Sequence, residues 1–465
     1  MSFNDVVVLG AGPSGLTAAY CLARAGALVT VVDRAGVVGG LMRGVRCGDF
    51  YFDIGRKKLH TEFPEIDALW TELLGVEYRY YPNLVGVLFG DRILDSTGER
   101  QGPMRGMSLR QAARLGASYL WSQLRPGSRR PTNLEDYCLL MYGQGVYDYF
   151  IHGFRKKFTG KSFSQMPPPE GIDVIPRFAY LRNRSAKSMG TTPSAPQRKE
   201  NLRHPVRGTG QIIDRIEAGA RAAGAKFLMD AEVMALNVEG GIVRSVVVRH
   251  RGRELELPAG SVVTSLPVPL LLKLLRPHPP EELRSPPPGE VAFKKSTALV
   301  YLMADGEPRF PHSWLNVNDL TYRVGRVVNY ATWNCEMVPP GKTGLCLEYF
   351  CVEGDGLMDL SEEGLGALAL DEAERAGLID RSKVFDTLVL RLPHANAATN
   401  TKDLESEWFC RTTDYLRGIS GLYETNRPGM DRASLAGMDA AEAWRTGRPM
   451  SGRSLETIRP PRTAR

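Results

Sequence analysis

The sequence predicts an α/β fold in which a parallel-sheet domain opens the chain and carries an inserted α+β lobe. Three observations lead there. An apolar run Val6–Leu9, a glycine turn, a helical stretch Leu16–Ala25 and a second apolar run Leu28–Val32 form a βαβ unit. A later buried-strand pattern, Ser261–Leu266, fits a return to that first sheet. Residues 292–350 alternate instead like antiparallel strands, which adds a second kind of layer.

In chain order, a turn-rich stretch runs from Val32 to Gly55, and a helix then sets Ile66, Leu69, Trp70, Leu73 and Leu74 on one face. Tyr78–Asp95 reads as short strands, and Met107–Leu124 as a helix bordered by Arg110, Arg114 and Arg125. Ser185–Glu200, rich in Ser, Thr, Pro, Lys and Arg, predicts a mobile loop. A helix from Gly210 to about Ala223 precedes strands Lys226–Val238 and Ile242–Arg249. Further helices are expected at Ser361–Ala376 and Ala433–Trp444, with a frayed basic tail beyond Arg445. The resulting division gives residues 1–76, 201–275 and 396–445 to the parallel-sheet domain, 77–200 and 276–395 to the lobe, and 446–465 to a disordered tail.

Composition excludes several classes. The charge of +7 is concentrated in short segments such as Arg125–Arg130 and Arg445–Arg465, and no nucleic-acid fold motif accompanies it, so a nucleic-acid partner is not expected. The seven cysteines show no CxxC pair or Cys/His ligand spacing, which argues against a zinc site and a disulfide framework and fits a reducing cytoplasm. Met1 leads directly into the first strand without a basic leader, so export is not expected, and no apolar run reaches the roughly 18 residues of a spanning helix.

The chemistry begins at Gly10-Ala11-Gly12-Pro13-Ser14-Gly15, a GxGxxG loop placed directly after a strand and at the opening of a helix. Gly10 permits a tight turn, Gly12 lets the backbone approach a pyrophosphate, and Gly15 lets the helix pack closely on the strand. The helix N-terminus offers free N–H groups and the positive end of its dipole to phosphates. Asp33 closes the second strand about twenty residues later, where a carboxylate can accept hydrogen bonds from a ribose diol. The unit is a complete dinucleotide-binding fingerprint.

The segment after Asp33 goes beyond a simple nicotinamide fold: Gly39-Gly40, then Arg43, then Asp53-Ile54-Gly55. With these features the chain resembles the FAD-dependent amine oxidase superfamily, in which an acidic strand end is followed by a double glycine and an Asp-x-Gly turn beside the flavin. Arg207-Gly208-Thr209-Gly210-Gln211 and Ala231-Glu232-Val233 look like the family's second cofactor segment, and Val262–Pro267 like its strand leading back to the substrate lobe. Phe154–Gly160, Arg326–Trp333 and Leu347–Phe350 are most similar to the protoporphyrinogen oxidase and UDP-galactopyranose mutase branch. The resemblance implies a Rossmann-type FAD-binding domain of the glutathione-reductase kind with an inserted α+β substrate-binding lobe. It also implies non-covalent FAD held by Gly10, Gly12, Pro13, Ser14, Gly15, Asp33, Arg34, Gly39, Gly40, Leu41, Arg43, Gly55, Arg56, Val233, Gly429 and Met430.

Two departures stand out. Relatives of the mutase branch place a histidine after the Asp-x-Gly turn, whereas this chain reads Arg56-Lys57-Lys58; before the last helix it reads Asn426–Asp431 where relatives are glycine-rich and aromatic. If the family layout holds, Gly429 and Met430 approach the isoalloxazine and the following helix aims its N-terminus at the ring, where Asp431 is read as a helix cap. Lys57 and Arg326 are the candidate catalytic residues: Lys57 or Lys58 for flavin electrostatics, an anionic substrate or a water used in reoxidation, Arg326 for a substrate carboxylate or phosphate or for an ion pair with Glu348 or Asp355. Alternation would set Arg326 and Tyr330 on one side of a strand and Trp333 on the other, and His394 reads as an ordinary loop histidine. The Met107–Leu124 helix is read as a cap over the site, with peripheral membrane contact as the alternative.

The leading expectation is therefore an FAD-dependent oxidoreductase acting on a small organic substrate, with oxygen or another acceptor reoxidising the flavin. The alternatives are a non-redox flavin-dependent sugar-nucleotide mutase and a flavin-free binding protein like the Rab GDP dissociation inhibitors. Abundant Ala, Arg, Gly and Pro suggests a GC-rich genome and a setting in specialised metabolism. Substrate identity and oligomeric state are not readable from these residues.

Overall fold

The computed structural model describes residues 5–90, 92–95, 107–169, 172–182, 201–287, 296–393 and 406–456. Strand β1 (Asp5–Leu9), helix α1 (Pro13–Arg24) and strand β2 (Leu28–Val32) make the expected βαβ unit. The sheet has five parallel strands, in the order Leu422–Glu424, Ser261–Thr264, β1, β2, Lys226–Leu228. Val6 and Val8 enter an apolar cluster with α1, while Val7 and Leu9 enter a second cluster on the other face. Burial on both faces is why β1 is a continuous apolar run and does not alternate.

A seven-stranded sheet forms the floor of the second lobe. Its order is Val384–Leu392, Ser296–Asp305, Lys342–Cys351, Arg326–Asn329, Trp314–Val317, Val85–Phe89, Arg92–Asp95, antiparallel except where Trp314–Val317 meets Val85–Phe89. The helix Leu109–Leu124 is capped by Ser108 with Gln111 in a reciprocal box, and it leaves Leu109, Leu120, Trp121 and Leu124 exposed. Among the described residues no helix is long and apolar enough to cross a membrane.

Three expectations are corrected. The single strand Lys226–Val238 is two: Lys226–Leu228 edges the parallel sheet, and Ala231–Glu239 joins a separate four-stranded sheet. The chain turns between them at Asp230, whose φ is +54° and whose N–H bonds the Ala35 carbonyl. The strand Arg326–Asn329 gives way to a helical turn, Tyr330–Trp333, once the Asn329 side chain accepts from the Thr332 N–H. That bend lets Val328, Tyr330 and Trp333 share one apolar cluster, which uninterrupted alternation would not allow. The last helix is Met430–Thr446, three residues longer at its start than the apolar pattern indicated.

The tail is also ordered further than composition suggested. Met450 packs on the first cluster, Ser451 bonds Asp439, Arg453 pairs with Glu65 at 2.7 Å, and Ser454 is fully buried. The remaining tail, the loop expected as mobile and His394 lie outside the described residues.

Candidate dinucleotide and active site

The glycine loop is shaped by what surrounds each glycine. Gly10 has φ +101°, and a Cβ there would come within 2.2 Å of Ser265 Oγ. A Cβ on Gly15 would meet the Gly10 carbonyl oxygen at 1.9 Å, so α1 can rest on the loop only if that position is bare. At Gly12 the reverse holds: an added Cβ meets nothing within 4 Å. Gly12 is the N-cap of α1, and no side chain caps the helix. The N–H groups of Ser14 and Gly15 therefore remain for a ligand, next to open space. Ser14 contributes only main chain here, because its hydroxyl donates to the Thr425 carbonyl at 3.1 Å. Pro13 supplies a fixed φ at the first helical position and no N–H of its own.

The other expected cofactor residues gather around this loop. Gly39 donates to the Ala11 carbonyl at 2.7 Å, and Gly39 and Gly40 have φ +100° and +53°. Arg43 Nη1 donates back to the Gly40 carbonyl, while Leu41 and Arg34 are exposed. Asp33 accepts from Ala11 N–H at 2.6 Å and from Ala35 N–H at 2.8 Å, one bond on each oxygen. Its first task is to hold the loop, and each oxygen keeps a lone pair for a further donor. Ala231 N–H bonds the Asp33 carbonyl at 2.9 Å, which brings the strand containing Val233 against the end of β2. Val233 faces Val248 and adjoins a β-bulge. An uncapped helix start, a side-chain-free approach and a nearby acid fit a bound dinucleotide bisphosphate.

A second group is built on the turn Asp53-Ile54-Gly55. Tyr301 and Tyr330 donate to the Asp53 carbonyl at 2.8 and 3.0 Å, and Tyr330 also reaches the Gly55 carbonyl at 3.0 Å. The Asp53 carboxylate is fully buried and accepts from Thr209 N–H at 2.6 Å and Thr209 Oγ1 at 2.8 Å. Its other oxygen lies 3.2 Å from His204 Nε2, in a contact too poorly aligned to be a good hydrogen bond. Asn334 Nδ2 donates to the Pro205 carbonyl at 2.8 Å and lies 3.1 Å from His204 Nδ1. A Cβ on Gly208 would strike Asp53 Oδ1 at 2.7 Å, so this turn and the Arg207–Gln211 segment interlock. Sequence reading placed the motifs; it did not find His204 or Asn334, because nothing in their spacing from Asp53 signals the contact.

Charge collects just after this turn. Arg326 faces Glu348 across neighbouring strands and pairs with it at 2.7 Å, so Glu348 is its partner; Asp355 instead accepts from the Val352 and Leu357 N–H groups. The other Glu348 oxygen accepts from the Arg56 main-chain N–H. A Cβ on Gly55 would come within 2.9 Å of that carboxylate. The Arg56 guanidinium lies 5.1 Å over Trp314, and burial together with the Arg326 charge pushes its pKa down to about 10. Burial also lowers the Lys57 pKa; Glu348 and Asp53 oppose that shift, while Arg56 and Arg326 add to it. Phe154 and Phe158 stack, and both meet Phe350 edge-on beside Arg326, so the three looser motifs read from sequence converge on one place.

At the C-terminal end, Gly429 (φ +84°) precedes the last helix, which has no side-chain cap. Asp431, expected as that cap, lies in the first turn with its carboxylate folded back beside Gly429, and burial raises its pKa. Met430 turns its side chain into the core, so only its main chain is available to a ligand. The turn before the helix is fixed by a buried ion pair, Arg427–Glu424 at 2.7 Å, with Ser454 on the same guanidinium.

The chain resembles known proteins at two levels. The L-amino-acid oxidase of Sistrurus catenatus edwardsii is 49% identical over 57 residues, 12% of this chain and 11% of that protein. Protoporphyrinogen oxidase 2, chloroplastic/mitochondrial, of Arabidopsis thaliana is 39% identical over 82 residues, 18% of this chain and 16% of the relative. These matches thus span less than a fifth of either relative's length. A solved structure of reduced UDP-galactopyranose mutase superposes with TM-score 0.74 at 15% identity and covers 98% of both chains, which shows a shared fold. The model of the family described as flavin containing amine oxidoreductase matches residues 13–442. The chain belongs to the flavin-containing amine oxidoreductase family, and its cofactor is FAD.

Proposed function

We propose that this chain is an oxidoreductase of the oxidase, dehydrogenase or desaturase type, acting on a small organic substrate in specialised metabolism. When bound, FAD supplies the two-electron acceptor for a hydride from a C–N, C–O or C–C bond. The observation that carries the reading is the open space at Gly12 beneath an uncapped helix start, in a loop whose other glycines are filled in by their neighbours.

On this reading Gly10–Gly15, Gly39 and Gly40 clasp the bisphosphate, and Asp33 takes the ribose diol with its free lone pairs. Residues 1–76, 201–275 and 396–445 serve the cofactor, and 77–200 and 276–395 the substrate. Asp53, Tyr301 and Tyr330 fix the turn that presents Arg56 and Lys57, whose charges stabilise developing negative charge. Arg326 acts as a positioning residue through Glu348 and the Arg56 main chain. Exclusion of water falls to Trp314, Phe154 and Phe350. No protein nucleophile is required.

The test is a visible spectrum of the purified protein with added FAD, followed by anaerobic reduction with candidate amines, alcohols and cyclic metabolites. A yellow complex bleached by one substrate class supports the reading. A yellow complex that isomerises a nucleotide sugar only when reduced, without consuming an acceptor, contradicts it.

A further inference from the structure

We propose that Asn334 and His204 are positioning residues for the turn that starts at Asp53: Asn334 sets which ring nitrogen of His204 carries the proton, and His204 steadies the Asp53 carboxylate as an anion facing Lys57. This deepens the oxidoreductase reading and rests on it only for the use made of Lys57. Asp53, His204 and Asn334 are all fully buried. They come from three separate segments: the end of the strand Phe50–Asp53, the strand Asn201–Pro205 and the turn after Tyr330–Trp333.

The hydrogen-bond roles follow from what each neighbour can do. The Pro205 carbonyl can only accept, so the Asn334 atom 2.8 Å from it is the amide nitrogen. The Glu336 N–H can only donate, so the atom 3.3 Å from it is Oδ1. With the amide oriented in this way, its second N–H is left for His204 Nδ1 at 3.1 Å, which must accept. The ring proton therefore sits on Nε2, the nitrogen 3.2 Å from Asp53 Oδ2. Trp333 meets the imidazole edge-on at 5.2 Å and keeps the ring from turning over. Glu336 is itself held by Arg79 and Tyr81, from the strand that pairs with that of His204.

Asp53 needs this neighbour. Thr209 donates twice to Oδ1, whereas Oδ2 is buried and has no hydrogen-bond partner among the described residues. The Nε2–H lies off a good hydrogen-bond line, so it acts on Oδ2 as a dipole at close range. A buried carboxylate without donors favours its protonated form, in which its charge is lost. Kept as an anion, Asp53 joins Glu348 in opposing the loss of the Lys57 proton, against burial, Arg56 and Arg326. The tautomer of one histidine thus reaches the turn through charge, while Tyr301 and Tyr330 hold the same turn through its carbonyls.

The experiment uses the full chain, with nitrogen-labelled histidine and carbon-labelled lysine followed by NMR, first without FAD and then reconstituted. In both forms one of the seven histidines is expected to show a bare Nδ1 and a protonated Nε2. His204→Gln, which keeps a donor amide near the Nε2 position, is expected to remove that signal alone. Asn334→Asp offers only acceptors to Nδ1 and is expected to put a proton there. His204→Leu is expected to shift the Lys57 titration, assigned with Lys57→Arg, to lower pH, and His204→Gln to restore the parent curve. A merely structural histidine would change the thermal midpoint without moving Lys57, so an unmoved Lys57 curve in folded His204→Leu overturns the proposal. A His204 ring protonated on Nδ1 in the parent overturns it as well, without reliance on the leucine variant. Anaerobic reduction of the bound FAD tests the other reading separately: a parent protein that shows the histidine signature yet takes electrons from no substrate class retains the relay and overturns the redox assignment.

Discussion

Gly12 and Gly15 sit three residues apart and obey opposite constraints. Gly12 has φ −78° and ψ −178°, open to any residue, and space beyond its Cβ position. Gly12→Val should therefore leave the thermal midpoint close to that of the parent while weakening FAD uptake. Gly15→Ala should instead destabilise the fold by about 1–3 kcal/mol, since its methyl would overlap the Gly10 carbonyl, and chemical denaturation measures that loss. Lys57 carries a pH prediction. Its ammonium faces Glu348, Asp53, Arg56 and Arg326, and it loses its proton below the ordinary lysine range. Affinity for an anionic substrate should thus fall with rising pH before an ordinary lysine titrates; a flat profile to the usual lysine range would count against it. At this scale the turn at Gly10–Gly15 and its tie to Asp33 were legible because they depend on local spacing. His204 and Asn334 were not, because they meet Asp53 only through tertiary packing.

Elements show where pattern reading stops. β1, α1 and β2 were legible from periodicity, as was the Ser361-capped helix Glu362–Arg375. The break at Asp230 was hidden because a three-residue strand, Lys226–Leu228, runs almost directly into the nine-residue strand Ala231–Glu239, and only a left-handed φ divides them. The bend at Asn329 was hidden because a side-chain bond to Thr332 starts a helical turn in a β-rich stretch. The tail misled through composition: its Arg453 and Ser454 reach Glu65 and Arg427. Truncation after Arg448 should cost about 1–3 kcal/mol in denaturant melts, from the lost Met450 packing and these polar contacts. Tyr330→Phe removes a buried hydroxyl from the Asp53 and Gly55 carbonyls and should also cost about 1–3 kcal/mol, with looser binding of any ligand at Lys57.

Over the whole molecule, the parallel sheet and the seven-stranded sheet meet at the Asp53 turn, where Thr209 comes from one side and Tyr301 and Tyr330 from the other. That junction is rich in groups that burial keeps protonated. The pKa values of Tyr301, Tyr330 and Cys346 are raised well above normal there, and away from the junction, in α1, burial raises that of Cys21 from 9.0 to about 11. The folded chain holds these protons while the unfolded chain releases them, so the stabilisation is complete below the unfolded pKa values and is lost as pH rises through the folded ones. Denaturant midpoints should decline above about pH 9, and a midpoint rising there would contradict the burial that the fold assigns to these groups. On the proposed function, main-chain amides around Gly12 hold the FAD bisphosphate. Titration of FAD fluorescence quenching in the parent and in Gly12→Val, at matched thermal midpoints, tests it. One tight site is expected in the parent and affinity weaker by at least about tenfold in the variant, a loss of about 1.4 kcal/mol; equal affinity in the two would rule out bisphosphate binding at Gly12.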